Sequence, residues 1–204
     1  MRTHGWRGDP PDTDEEARAR IVEATRRCVD RFGPRKTALT DVAEDLGVTR
    51  ATVYRYFRNI EELLKASSLA AAGEFLQRLV AHVSELRDAS EILVEMAAFT
   101  IERLPREPQV GVLIGSGHTH SLTDDLLSPL TIEITRSMLL RLPVDWAAHG
   151  YAPADLDGLA EFMLRLLRSF LPESTRHLEH GQEMPDPRPF LRRWIVPGFL
   201  AQPT

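Results

Sequence analysis

Apolar residues recur at spacings of three and four along nearly the whole chain, and this pattern is the feature that most constrains the fold. Such spacing places apolar side chains on one face of a helix, whereas a half-buried strand requires strict alternation of apolar and polar residues. β-branched residues rarely alternate with polar ones here. The sequence therefore predicts an all-α protein.

Length and composition restrict the class of protein further. The chain has 204 residues, enough for one large domain or two small ones. Its apolar stretches fall short of the roughly 18 residues of a membrane-spanning helix, and residues 1–14 lack the apolar core of a signal peptide. We expect a cytoplasmic protein with no membrane partner and with a disordered arm over 1–14. Cys28 is the only cysteine, so it is predicted to be a buried core residue rather than part of a disulfide.

Capping residues, glycines and prolines predict nine helices. The first begins among the acidic residues 14–16 and ends at Gly33-Pro34, and Asn59 is the predicted N-cap of a long fourth helix that extends to Val83. The other helices are predicted over 38–46, 50–57, 89–104, 109–115, 122–142, 154–171 and 187–201. Pro172 is expected to end the helix before it, and Pro129 either kinks the 122–142 helix or marks its true start.

Residues 37–57 have the spacing of a DNA-binding helix-turn-helix. Val42 and Leu46 on the first helix and Val53 on the second can pack together, and Gly47 supplies the positive φ that the turn requires. The second helix then presents cationic and hydroxyl side chains that suit phosphates and base edges: Arg50, Thr52, Tyr54, Arg55 and Tyr56. Residues 17–58 contain ten Lys and Arg against five acids, a net charge of +5, although the whole chain carries −5.

These residues resemble the N-terminal domain of the TetR family of transcriptional regulators between Ile21 and Leu64. The shared features are Phe32-Gly33, Thr40-Asp41-Val42-Ala43, Leu46-Gly47-Val48, the run from Ala51 to Phe57, and Glu61-Glu62-Leu63-Leu64. The resemblance implies an all-helical homodimer whose C-terminal domain binds a small molecule and thereby releases or alters its grip on a palindromic operator. It divides the chain into a DNA-binding domain over 15–58 and an effector-binding and dimerisation domain over 59–204.

The residues predicted to contact double-stranded DNA combine this resemblance with the polar face of the second helix. They are Thr37, Thr40, Thr49, Arg50, Thr52, Tyr54, Arg55, Tyr56 and Asn59. One position departs from the family pattern. The fourth helix usually opens with a lysine that holds a phosphate, and here Ile60 stands in its place. The backbone amide at that helix N-terminus can still face a phosphate.

The C-terminal part of the sequence predicts a ligand pocket and a dimer interface. A mostly apolar effector is expected between the middle helices, with Thr100 and Arg103 as polar anchors, and the predicted pocket residues are Phe75, Met96, Phe99, Thr100, Arg103, Trp146 and Met163. Two amphipathic helices imply, by the resemblance, a four-helix dimer interface containing Leu159, Phe162, Leu166, Phe170, Trp194 and Phe199. Core packing within one chain explains either stripe equally well.

Other chemistry finds little support in the sequence. No nucleophile elbow, catalytic carboxylate pair or cofactor fingerprint occurs, so neither an enzyme nor a cofactor is expected. His177 and His180 share a helix face, but no third ligand is identifiable and no metal site is predicted. The sequence predicts a repressor released by a small apolar effector. The alternative is a helical small-molecule-binding protein that does not bind DNA.

Overall fold

A computed structural model describes residues 5–107, 109–110, 126–194 and 196–197, and all regular structure in these ranges is helical. This confirms the predicted all-α class. The α-helices that it defines, in chain order, are α1 (Asp14–Phe32), α2 (Leu39–Leu46), α3 (Arg50–Tyr56), α4 (Ile60–Val83), α5 (Ala89–Arg103), α6 (Pro129–Leu139), α7 (Asp155–Glu179) and α8 (Arg188–Trp194).

The described residues form two compact units, whose boundary falls inside α4. The first unit contains 5–73 together with 109–110, and the second contains 74–107 and 126–197. The sequence predicted a boundary at residue 58. The first half of α4 joins the N-terminal unit because its apolar residues, such as Leu63, complete the core of α1 to α3.

Side-chain caps fix the N-termini of α1 and α4. The Thr13 hydroxyl accepts a hydrogen bond from the Glu16 amide at 3.1 Å and starts α1. The Asn59 side chain caps α4 by accepting from the Glu62 amide at 2.7 Å, while the Glu62 carboxylate accepts from the Arg58 amide at 2.9 Å. These two bonds fix the start of α4 after the helix-turn-helix.

The core of the first unit is built on the apolar stripe of α1. Ile21 and Cys28 pack there with Val42 of α2 and Val53 of α3. Cys28 is 1% exposed, which confirms its predicted core position, and burial raises the pKa of its thiol. The thiol is therefore a small hydrophobe in this core.

The segment containing Gln109 also belongs to the first unit. The Gln109 side-chain amide donates to the Arg26 carbonyl at 3.2 Å and to the Asp30 carboxylate at 2.9 Å, and its oxygen accepts from the Arg26 guanidinium at 3.1 Å. Gln109 and Val110 are both buried. A part of the chain from beyond α5 thus completes the surface of α1.

The second unit is organised around α5, which is buried on most of its surface and packs against α7 and α8. A cluster of ion pairs fixes α8 on α5. Arg188 reaches Glu95 at 2.8 Å and Glu102 at 2.5 Å, and Arg192 reaches Glu91 at 2.8 Å. The helix α6 packs against α7.

Two prolines behave differently from each other. Pro129 occupies the first turn of α6, so it marks the helix start within the predicted 122–142 span, whose residues 122–125 lie outside the described ranges. Pro172 does not end a helix, because α7 continues through it to Glu179. Leu171 and Ser174, on either side of Pro172, are buried, and the packing of this face offsets the lost backbone hydrogen bond.

The ends of the chain also differ from expectation. The last helix is predicted over 187–201 but is defined as Arg188–Trp194, with 196–197 also helical and 198–201 outside the described residues. Of the predicted 109–115 helix only 109–110 are described. The prediction of a disordered arm over 1–14 is wrong from residue 5 onward. Trp6 packs against the core of the first unit, and Asp9 forms an ion pair with Arg20 at 3.0 Å.

Candidate nucleic-acid interface

The turn between α2 and α3 has the geometry that the sequence predicted. Gly47 adopts the left-handed conformation with φ +66°, and the Val48 amide donates to the Ala43 carbonyl at 2.9 Å. Val42 and Val53 are fully buried between the two helices. The turn therefore holds α3 at a fixed angle to α2 with its other face in solvent.

Arg50 and Tyr54 form a preorganised pair on the exposed face of α3. They are four residues apart, so their side chains lie one above the other. The Arg50 guanidinium donates to the Tyr54 hydroxyl at 2.7 Å and lies 5.1 Å from the centroid of its ring. Because the hydroxyl accepts this bond, its own proton remains available to a phosphate oxygen.

Two threonine hydroxyls lie at the N-terminus of α3. The Thr49 hydroxyl caps the helix by accepting from the Thr52 amide at 3.2 Å, and the two hydroxyl oxygens lie 2.9 Å apart. Thr40 is exposed in the first turn of α2, and Thr49, Arg55 and Asn59 are exposed as well. Thr49 and Thr52 thus place two hydroxyl groups at the positive end of the α3 dipole.

Tyr56 and Thr37 do not lie on this surface, which corrects their prediction. The Tyr56 side chain is 9% exposed and belongs to the core of the first unit, where its hydroxyl donates to Asp14 at 3.0 Å and accepts from Arg55 at 2.5 Å. Two residues subtend about 200° on a helix, so Tyr54 and Tyr56 point in opposite directions. Thr37 is buried, with its hydroxyl donating to the Gly33 carbonyl at 2.9 Å.

Ile60 is half-buried at the start of α4 and packs against the core of the first unit. Its apolar side chain thus has a structural role where the family pattern has a cation. Glu61 and Glu62 follow it in the first turn. Acidic groups there stabilise the helix N-terminus but oppose an approaching phosphate.

Sequence reasoning missed the segment that precedes α1. Trp6 packs against the core, and a Cβ added to Gly5 would lie 3.7 Å from Cγ1 of Val48. The Arg7 side chain covers Gly47, since a Cβ added to that glycine would lie 3.2 Å from Cγ of Arg7. A tryptophan inside an otherwise polar segment was the available signal for this packing.

The predicted ligand-pocket residues do not surround one cavity. Met163 lines a narrow apolar slot between α5, α7 and α8, whereas Arg103 lines a separate polar cavity of about 230 Å³ near the ends of α5 and α7. Phe75 and Phe99 stack on each other with centroids 5.6 Å apart, and the Thr100 hydroxyl donates to the Met96 carbonyl at 2.8 Å. Trp146, in the connection between α6 and α7, donates to the Leu139 carbonyl at 3.1 Å.

The predicted interface residues separate into buried and exposed groups. Leu159 is only 5% exposed and packs within its own chain, so its placement in an interface is corrected. Phe162 and Trp194 are 45% and 65% exposed, and Leu166 and Phe170 are half-buried on the same face of α7 as Phe162. Phe190 extends this face through an edge contact with Phe170 at 5.6 Å. Phe199 lies outside the described residues.

Metal and membrane features are absent from the described residues. They contain no group of three side chains that could hold a metal ion, and the ring nitrogens Nδ1 of His177 and His180 bond to backbone carbonyls of α7. Within the described ranges, no helix has the length and apolar character to cross a membrane.

In the described residues, a helix-turn-helix precedes a larger helical unit. Residues 21–67 match the family model described as "Bacterial regulatory proteins, tetR family". The match includes the helix-turn-helix and spans about a quarter of the chain.

Two curated relatives each match a part of the chain. It is 39% identical over 74 residues to the probable HTH-type transcriptional regulator ArpR of Pseudomonas putida, and the match covers 35% of each protein. It is 44% identical over 52 residues to the HTH-type transcriptional regulator TtgR, also of Pseudomonas putida, and this match covers 26% of the chain and 25% of TtgR. The chain thus aligns with about a third or less of each relative's length.

Solved structures resemble the chain over most of its length. The fatty acid degradation regulator FadR from Bacillus halodurans has a TM-score of 0.56 at 15% identity and covers 91% of this chain and 99% of its own. A TetR-family regulator from Pectobacterium atrosepticum has a TM-score of 0.56 at 19% identity, with 81% and 92% coverage. FadR from Bacillus subtilis, in complex with stearoyl-CoA, has a TM-score of 0.50 at 15% identity, with 91% and 99% coverage. These likenesses establish a shared fold.

Proposed function

We propose that the protein is a sequence-specific DNA-binding transcriptional regulator that inserts α3 into the major groove of double-stranded DNA. The observation that carries this proposal is the Arg50–Tyr54 pair, bonded at 2.7 Å on the solvent face of a helix whose opposite face is locked by the Gly47 turn. Arginine can read guanine or hold a phosphate, and a tyrosine hydroxyl donates to phosphate. Thr40, Thr49, Thr52, Arg55 and Asn59 complete the proposed contact surface.

The regulator is proposed to act as a homodimer. The apolar face of Phe162, Leu166, Phe170, Phe190 and Trp194 exposes aromatic rings in a single chain, and covering it with the same face of a second copy removes that surface from water. A twofold dimer presents two recognition helices to half-sites about one helical turn apart, which matches a palindromic operator.

A small-molecule effector is proposed to control DNA binding from the second unit, and repression relieved by this effector is the proposed direction. The two cavities differ in character, since one is apolar around Met163 and the other is polar around Arg103. The FadR structure from Bacillus subtilis holds stearoyl-CoA, a molecule with an apolar chain and a charged head. The apolar slot, at about 10 Å³, has no room for an acyl chain in this structure, so the polar cavity of about 230 Å³ around Arg103 is the proposed site for the charged part of an effector. As a chromosomal DNA-binding protein, the regulator would act in the cytoplasm.

A binding assay with DNA flanking the protein's own gene tests this proposal. We expect a salt-sensitive gel shift whose affinity for one palindromic fragment exceeds that for random duplex by at least about 10³-fold. Arg50→Ala should weaken the specific complex, while Arg165→Ala on the exposed face of α7 serves as a control that leaves affinity unchanged. Equal affinity for all duplexes, or no loss in Arg50→Ala, contradicts the proposal.

The alternative, a small-molecule-binding protein that does not bind DNA, is not favoured. The family model matches residues 21–67, which include the helix-turn-helix, and both curated relatives are HTH-type transcriptional regulators. These relatives are regulators, and no catalytic role follows from them. The same gel shift separates the two functions, because the alternative predicts no shift at any salt concentration.

A further inference from the structure

A cleft of about 750 Å³ lies in the first unit beside the turn that joins α2 to α3. The N-terminal segment supplies Trp6 and Arg7 to its wall, and α1 supplies Arg20, Arg27 and Arg31. Four arginines in one cleft make it a candidate anion-binding surface, provided that nearby carboxylates do not already neutralise them all.

Three of the four arginines lie within 4 Å of a carboxylate oxygen. Arg20 pairs with Asp9 at 3.0 Å and with Glu16 at 2.6 Å. Arg27 pairs with Asp45 at 2.7 Å, and Arg31 lies 3.9 Å from the other oxygen of Asp45.

Arg7 remains as the unmatched cation. It is exposed, and among the described residues its guanidinium has no hydrogen bond and no ion pair. Its aliphatic part packs over Gly47, and this contact restricts where the guanidinium can lie.

The backbone of this segment has an uncommon conformation. Trp6 and Arg7 have φ values of +65° and +54°, in the left-handed region that residues with a Cβ rarely adopt. The packing of Trp6 on the core and of Gly5 near Val48 maintains it. Backbone strain of this kind persists only where surrounding contacts impose it, and it is concentrated at functional sites.

We propose that Arg7 binds a phosphate of the DNA backbone at the rim of the major groove, next to the N-terminus of α3. This inference rests on the proposed DNA-binding function. The Gly47–Val48 turn on which Arg7 lies is followed directly by Thr49, the N-cap of α3. A recognition helix enters the groove with its N-terminal residues, so the turn before it lies beside the DNA backbone. A guanidinium placed there meets a phosphodiester, with which it forms bidentate hydrogen bonds.

The charge of Arg7 can be removed without removing its stem. Arg7→Met retains the aliphatic packing on Gly47, and thermal unfolding should match that of the wild type. Affinity should fall by a similar factor on operator and random duplex, because a phosphate contact carries no sequence information. The slope of log K against log salt should decrease in magnitude by about 0.9 per protomer. Arg7→Lys should retain the wild-type slope, and Arg87→Met, on an exposed arginine of the second unit, is the matched control.

Each outcome is distinguishable. If the wild type binds duplex DNA and Arg7→Met has the wild-type slope, the role of Arg7 is wrong while the proposed function stands. If the wild type binds no duplex, both are overturned. Inorganic phosphate without DNA is the remaining probe: saturable thermal stabilisation of the wild type that is lost in Arg7→Met would assign the site to free phosphate and overturn the DNA contact.

Discussion

At the scale of single residues, the two tyrosines of α3 have opposite environments although they are two positions apart. Tyr54 is 41% exposed and bonded to Arg50, whereas Tyr56 is 9% exposed and bonded to Asp14 at 3.0 Å. The first can contact a ligand in solvent, and the second connects α3 to the start of α1. Removing the Tyr54 hydroxyl should therefore change the affinity for DNA, whereas removing the Tyr56 hydroxyl should change the free energy of unfolding.

Tyr54→Phe should lower affinity for operator and random duplex alike by roughly 3- to 10-fold, the equivalent of one hydrogen bond. The salt slope should be nearly unchanged because the side chain is neutral. Tyr56→Phe should instead reduce the free energy of unfolding by about 1 kcal/mol. Fluorescence anisotropy and urea denaturation measure the two effects, and equal losses of DNA affinity in both variants would contradict this division.

Gly47 and Gly73 give a second matched pair. Gly47→Ala places a Cβ at φ +66°, 3.2 Å from the Arg7 side chain, and should destabilise the protein by roughly 1–2 kcal/mol. Gly73 lies inside α4, and a Cβ added there would have no neighbouring atom within 4 Å. Gly73→Ala should therefore raise the free energy of unfolding by about 0.5–1 kcal/mol. Denaturant midpoints measure both. Unchanged stability in Gly47→Ala would mean that the turn relaxes at little cost.

At the scale of elements, α8 depends on charge pairing with α5. Arg188 and Glu95 are 21% and 16% exposed, and Arg188 together with His82 holds the pKa of Glu95 below its ordinary value, with the Arg188 bond as the main cause. A carboxylate with a lowered pKa stabilises the folded state fully above the unfolded value of about 4.3. This stabilisation is lost as pH falls through the lower, folded pKa.

Arg188→Met should therefore reduce stability at pH 7 by about 2 kcal/mol and flatten the decline of stability below about pH 4.3. Arg165→Met is the control, because Arg165 pairs with Glu161 one turn away on an exposed surface, where such a pair contributes about 0.5 kcal/mol or less. Urea denaturation across acidic pH measures both variants. A parallel pH dependence in Arg188→Met and the wild type would show that Glu95 is not titrating against Arg188.

Local signals in the sequence were sufficient for the elements whose ends are fixed by nearby side chains. The cap at Asn59 and the turn at Gly47 depend on residues within four positions, and each occurs as predicted. Pro172 was misjudged because the packing of α7 outweighs a local helix-breaking preference. The orientation of Tyr56 depends on Asp14, 42 residues away, a partner that no local pattern identifies. The predicted pocket residues were chosen by type without knowledge of which helices are neighbours, and the structure does not bring them around one cavity.

At the scale of the whole molecule, the apolar face of α7 and α8 determines the proposed assembly. Phe162→Glu places a charge on an exposed position, so a single chain should remain folded while a twofold interface loses affinity. Sedimentation should show a wild-type dimer and a monomeric variant with weak operator binding. Leu159→Glu is the contrast, because it buries a charge inside one chain and should unfold it. A wild type that sediments as a monomer at micromolar concentration refutes the assembly.

The contact of Gln109 with α1 has a consequence for modular engineering. The first unit is discontinuous, since a fragment cut after Gly73 ends before Gln109. Such a fragment exposes the Arg26 carbonyl and the Asp30 carboxylate to which Gln109 donates hydrogen bonds, and it lacks the buried Val110 side chain. A chimera that joins this helix-turn-helix to a foreign sensor domain should therefore retain Gln109 and Val110. Without these two residues, we expect its DNA-binding unit to be less stable than the same unit in the intact protein.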